Sequence, residues 1–202
     1  MKPPRGSCVL GFAPHSGWAA VVVIGGTAGN PLVLARERLE LTDAKLAGAK
    51  QPYHAIEGLP LARAAARLAK FQAAAMTLAT SGVHTLVEIA RAAGIEPIAA
   101  GILDSSGHAG SLATILASHA LIHTADGNHF REALAAACAA EKLPCTRIRL
   151  RDLSREAAQA LRRAPEALTA TVAGLARDVG APWGADQKGA ALIAWLLLAR
   201  GV

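Results

Sequence analysis

Two histidines and an aspartate, His119, His123 and Asp126, stand at i, i+4 and i+7 in this sequence. On a continuous helix those positions share one face. Two imidazoles and a carboxylate suit Zn, Mn, Fe or Ni by ligand type. His129 lies three residues further on, at the edge of that face if the helix continues through Gly127. A plainer reading stands beside this one: semi-buried helix histidines bonded to backbone or to Asp104.

A second group of reactive types is Asp104-Ser105-Ser106-Gly107-His108. It follows a short apolar run, and the carboxyl end of a strand is where α/β sheets often bind ligands. Ser, His and Asp together invite a hydrolase reading, but no G-x-S-x-G elbow is present. Ser106 or Ser111 serves equally well as an N-cap for the next helix. Tyr53-His54 falls in a long loop, as a hydrogen-bonding pair for the same pocket or as loop packing. Lys188 sits where a final helix begins, and a cation there opposes the helix dipole. That makes it a candidate anion contact.

Arg147, Arg149 and Arg151 alternate with apolar residues in a strand-like segment. On one strand face they stand roughly 7 Å apart, which can follow a phosphate backbone. A charged edge strand that resists edge-to-edge pairing explains the same pattern. The formal charge of +6 and the pI of about 9.7 permit an anionic partner such as nucleic acid. Aromatics are only 3% of the chain, so single-strand binding by base stacking is disfavoured. The apolar run Ala190–Ala199 is half the length a membrane span needs, roughly 20 residues, and the first residues lack the pattern of a secretory signal. Cys8, Cys138 and Cys145 form no C-x-x-C pair and read as reduced thiols. These features together describe a cytoplasmic protein of bacterial type.

The elements that must position these residues follow from periodicity and turn chemistry. Cys8–Phe12, Trp18–Ile24 and Leu32–Leu41 read as three strands joined by tight turns, an antiparallel meander. Pro60 to Ala93 is helical, with Leu61, Leu68, Phe71, Met76 and Leu78 as core candidates and a break at Ser81-Gly82. Pro97–Leu103 is a fourth strand. Leu112–Leu143 is helical, with an interruption expected near Gly127-Asn128. Cys145–Leu150 is a fifth strand. Ser154 caps a helix, Pro165 starts another, and Ala185–Arg200 forms the last. Residues 1–202 read as a single α/β domain whose five-stranded mixed sheet is flanked by helices. Its Ala-rich helices leave room for a homo-oligomer.

The order β-β-β-α-β-α-β-α resembles the ribonuclease H-like superfamily, including Holliday-junction resolvases. Gly11-Phe12-Ala13-Pro14-His15-Ser16-Gly17 is similar to the resolvase turn Gly-Ile-Asp-Pro-Gly-Ser. The family places a metal-binding Asp where this chain has Ala13. Its next carboxylate, at the end of the fourth strand, matches Asp104. Its last carboxylates open the final helix as Asp-x-x-Asp, matched by Asp186 but not by Gly189. The resemblance implies Asp104 and Asp186 as the catalytic, metal-binding remnant, with Mg²⁺ or Mn²⁺ as the ion. It implies nucleic acid as partner, held by Arg147, Arg149, Arg151 and Lys188. Two-metal hydrolysis needs several converging carboxylates, so the missing ones leave three functions open. The chain binds or processes nucleic acid with a reduced metal site. Or it is a non-catalytic scaffold of the same fold. Or it is a metal-dependent hydrolase of a small substrate, centred on His119, His123 and Asp126.

Overall fold

The computed structural model describes residues 6–105, 107 and 110–201. Strands β1 (Ser7–His15), β2 (Trp18–Gly26) and β3 (Pro31–Glu40) pair antiparallel. The β1–β2 turn is two residues long, and Gly17 takes φ +90° there, which a side chain would resist. β4 (Glu96–Asp104) pairs parallel to β1, and β5 (Cys145–Arg149) parallel to β4. The sheet order is β3-β2-β1-β4-β5. This is the mixed five-stranded sheet expected from the sequence, with β3 and β5 at its edges.

Helices cover both faces, so β1 and β2 are nearly continuous apolar runs. Alternation sends Val9 and Ala13 toward α7 (Ala185–Arg200), and Leu10 and Phe12 toward α1 (Leu61–Ala92) and α3 (His119–Ala140). Gly11 lets α7 lie against the sheet: a Cβ there would stand 1.9 Å from the Ala190 carbonyl oxygen. Trp195 is fully buried in this layer and donates its Nε1–H to the Ala28 carbonyl at 3.0 Å.

α1 runs unbroken through Ser81-Gly82, against expectation. Its buried stripe of Ala64, Leu68, Phe71, Ala75, Ala79, Val83 and Leu86 keeps helical spacing throughout. Gly82 serves close packing, because a Cβ there would stand 2.0 Å from Leu39 Cδ1. Leu61 and Met76, expected in the core, are exposed. α3 is likewise continuous through Gly127-Asn128. The interruption falls earlier, between α2 (Leu112–Leu116) and His119. Ser111 caps α2, accepting from the Thr114 N–H at 3.2 Å. α4 (Leu150–Leu161) begins before Ser154, so Ser154 is interior to it. Pro165 opens α5 (Pro165–Gly174) as expected, and the short α6 (Ala176–Val179) precedes α7. Among the described residues no helix is long and apolar enough to cross a membrane.

Three apolar clusters result. One fills the space between sheet and α7, and a second the space between sheet and α1 with α3. The third lies where the first half of α1 meets the Thr42–Leu59 loop, α2 and the start of α3; it contains Tyr53, Ile56, Phe71, Ile122 and Ala125.

Candidate functional site

β1 and β4 match Phe12 with Ile102, so the next step sets Ala13 beside Leu103. Both belong to the cluster under α7. Asp104, in step with Ala100 and Ile102, projects to the opposite side of the sheet. There Arg147 donates to it from Nε and Nη2 at 3.2 and 3.0 Å, and Arg131 Nε lies 3.6 Å away. Asp186, in the first turn of α7, is on the other side and meets His15 Nε2 at 2.8 Å. The His15 ring stacks on Trp18 at 4.5 Å. The expected Asp104–Asp186 pair is therefore not assembled: each carboxylate has its own partner on its own face. A Cβ at Gly189 would stand 2.7 Å from Leu103 Cδ1. Ala13, Leu103 and Gly189 thus put hydrocarbon where Mg²⁺ or Mn²⁺ would require oxygen, and the residues present do not fit a two-metal carboxylate site.

Among the described residues one group of metal-ligating side chains converges: His54, His119 and His123, with ligand atoms all within 4.8 Å of one another. His119 and His123, one turn apart on α3, bring their Nε2 atoms to 3.1 Å. His54 comes from the single 3₁₀ turn His54–Ile56, its ring 4.5 Å from that of His123. Asp126, expected as a ligand, is instead a buried carboxylate behind His54. Its Oδ2 accepts from His54 Nδ1–H and its Oδ1 from the Tyr53 N–H at 2.7 Å. Both of its oxygens are engaged away from His119 and His123.

The expected basic strand is shorter than its sequence pattern. Arg147 and Arg149 lie on β5, but Arg151 belongs to α4 and points to solvent beside Asp152. Lys188 is exposed on α7, the helix on the far side of the sheet from the Asp104–Arg147 pair. Arg147 and Arg149 line a polar cleft of about 460 Å³ with Tyr53, Ser105, Asn128 and Glu132. The cleft sits at the carboxyl ends of β4 and β5. Burial and the neighbouring carboxylates of Glu132 and Asp126 push the Tyr53 phenol up, so it remains a proton donor. Asn128 donates to the Gly107 carbonyl at 3.2 Å, and its Oδ1 is buried with no partner among the described residues. Ser106 and His108, candidates from the sequence, lie outside the described residues. Arg131, Asn128, Glu132 and His15 were not singled out by sequence, since their partners lie far along the chain. A larger groove of about 500 Å³ between β3 and α1 is mostly apolar and carries none of the candidate residues.

His129 is buried beside Tyr53 and Phe130, with Nε2 unpartnered among the described residues. Burial lowers its pKa from the ordinary 6.5, opposed by the Asp126 charge. The unfolded chain then binds this proton more readily than the folded one. Stability from a neutral His129 is full above 6.5 and is lost as pH falls below it. Urea unfolding at about pH 7.5 and about pH 5.5 should show this loss, and His129→Gln should show less of it. An identical pH dependence in the variant would remove His129 as the cause.

No protein-family model matches the sequence, and no curated protein matches it. Solved structures do. The Thermus thermophilus RuvC structure superposes with a TM-score of 0.53 at 14% identity, over 94% of this chain and 91% of that one. T. thermophilus RuvC in complex with Holliday junction substrate gives 0.52 at 17% identity with the same coverage. The yeast mitochondrial Holliday junction resolvase Ydc2 gives 0.54 at 13% identity, over 99% of this chain and 84% of that one. Those values, with the sheet order above, establish that this chain has the ribonuclease H-like fold in its resolvase arrangement.

Proposed function

We propose that this protein binds nucleic acid without cutting it by the two-metal route. The observation that carries the reading is the polar cleft at the carboxyl ends of β4 and β5, where Arg147 and Arg149 face solvent over the sheet. A solved structure of the same fold is a resolvase in complex with Holliday junction substrate. The surplus of six positive charges supplies long-range attraction for a polyanion. Arg147 is held flat against Asp104 by two hydrogen bonds, which fixes its guanidinium as part of the cleft wall. Arg149 is opposite Asp104 in the strand register and is exposed, and it acts as the phosphate contact. Hydrolysis by paired Mg²⁺ or Mn²⁺ is not part of the reading, because Ala13, Leu103 and Gly189 replace the oxygens.

The test is fluorescence anisotropy with labelled four-way junction, duplex and single-stranded DNA across a salt series. Binding should fall steeply with salt, by a log–log slope of about 0.9 per phosphate contacted. Arg149→Ala should weaken every DNA and flatten the slope by about 1. An unchanged slope would remove this cleft as the contact surface. Absence of binding to any nucleic acid at low salt would leave the fold as a scaffold.

A further inference from the structure

We infer that His54, His119 and His123 form a binding site for a divalent transition ion of the Zn²⁺ class, separate from the place where the fold's relatives would carry carboxylates and independent of the nucleic-acid reading. Nitrogens about 2.0–2.1 Å from a tetrahedral ion stand about 3.3 Å apart. The Nε2 atoms of His119 and His123 are 3.1 Å apart, within a few tenths of that spacing. A histidine pair at i, i+4 on one helix face is the arrangement zinc enzymes use to present two imidazoles to one ion. His54 brings the third imidazole from a different element, which a chance i, i+4 pair would lack.

The surroundings are those of ligands held for a cation. A buried carboxylate is costly unless it is paired. Asp126, with its side chain only 7% exposed, takes the Nδ1–H of His54 and the Tyr53 amide. A carboxylate accepts and cannot donate, so it fixes the His54 tautomer and leaves Nε2 with its lone pair for the ion. Carboxylate-backed histidine is the usual support of a zinc ligand. Glu57 Oε1 lies 4.0 Å from His119 Nδ1, the corresponding nitrogen of the second ring.

Three imidazoles select against Mg²⁺ and Ca²⁺, which prefer oxygen, and favour Zn²⁺, Ni²⁺ or Cu²⁺. The His119 side chain is 68% exposed, so the fourth position faces solvent and takes water. The segment reads His119-Ala120-Leu121-Ile122-His123, with Ala120 where the H-E-x-x-H proteases carry their general base. The site therefore holds an ion without that enzyme's base.

The test uses the full chain stripped with chelator and titrated with Co²⁺, Zn²⁺ and Mg²⁺. One Co²⁺ per chain should bind with the visible bands of a tetrahedral nitrogen site. Zn²⁺ should displace it and Mg²⁺ should not. His119→Gln and His123→Gln change exposed side chains and leave circular dichroism unchanged; each should weaken Zn²⁺ binding by roughly 100-fold. Asp126→Asn should weaken it by roughly 10–100-fold, read beside the two exposed variants because Asp126 is buried. Failure of wild type to bind Co²⁺ or Zn²⁺ overturns the site. So does unchanged affinity in both His119→Gln and His123→Gln. DNA binding is unaffected by either result, which separates this proposal from the function above.

Discussion

Trp195→Ala should lower the free energy of unfolding by about 3–5 kcal/mol, a large part of what a domain of this size has. The ring is fully buried in the layer between the sheet and α7. Its removal leaves a cavity that Ala-rich neighbours such as Ala190, Ala191 and Ala194 cannot fill. The indole also ties two distant segments to α7. Its N–H reaches the Ala28 carbonyl in the β2–β3 turn, and the Arg163 guanidinium, just beyond α4, lies 5.3 Å over the ring. Trp195→Phe keeps most of the packing and loses the N–H bond, for about 1 kcal/mol. Urea denaturation at constant slope measures both. Equal losses in the two variants would mean that the hydrogen bond, and not the buried volume, holds α7 in place.

Ala13→Asp should be nearly as damaging and should not create a nuclease. The position is 4% exposed and faces the hydrocarbon of Leu103 and α7. A carboxylate placed there has no cation described near it, and an uncompensated buried charge costs about 3–5 kcal/mol. A single aspartate at this position therefore builds no metal site. The measurement is the unfolding midpoint together with junction cleavage in Mg²⁺ and Mn²⁺. A stable Ala13→Asp protein that cleaves DNA would show that the oxygen set needs only this one residue, and would overturn the assignment of Leu103 and Gly189 as its apolar replacement.

The order of strands and helices was legible because the inner strands are short apolar runs ended by turn residues, as in Trp18–Gly26, and the edge strands alternate apolar with charged residues, as in Cys145–Arg149. Gly82 was misread for a physical reason. Glycine in a helix signals either a weak point or a close approach, and only the position of Leu39 separates the two. The metal-site match at the end of β4 failed by one residue. Strand side chains alternate, so moving from Leu103 to Asp104 changes the face entirely, and a motif match by position along the chain does not carry that information. Arg151 was misplaced by the same kind of boundary, since α4 begins at Leu150 and takes the third arginine out of the strand. The histidine site was half visible. His119 and His123 declare themselves by helical spacing, whereas His54 and Asp126 are 72 positions apart and meet only through the fold.

The unbroken α1 has a mechanical consequence. At 32 residues it is a rod about 48 Å long. Its first half, through Ala64, Leu68 and Phe71, grips the packing under the His54 turn, and its second half, from Ala75 to Val87, is bedded on the sheet. One continuous helix thus serves both clusters. Phe71 and Ala75, one turn apart, are where the two clusters meet along the helix, so a substitution there touches the packing of both.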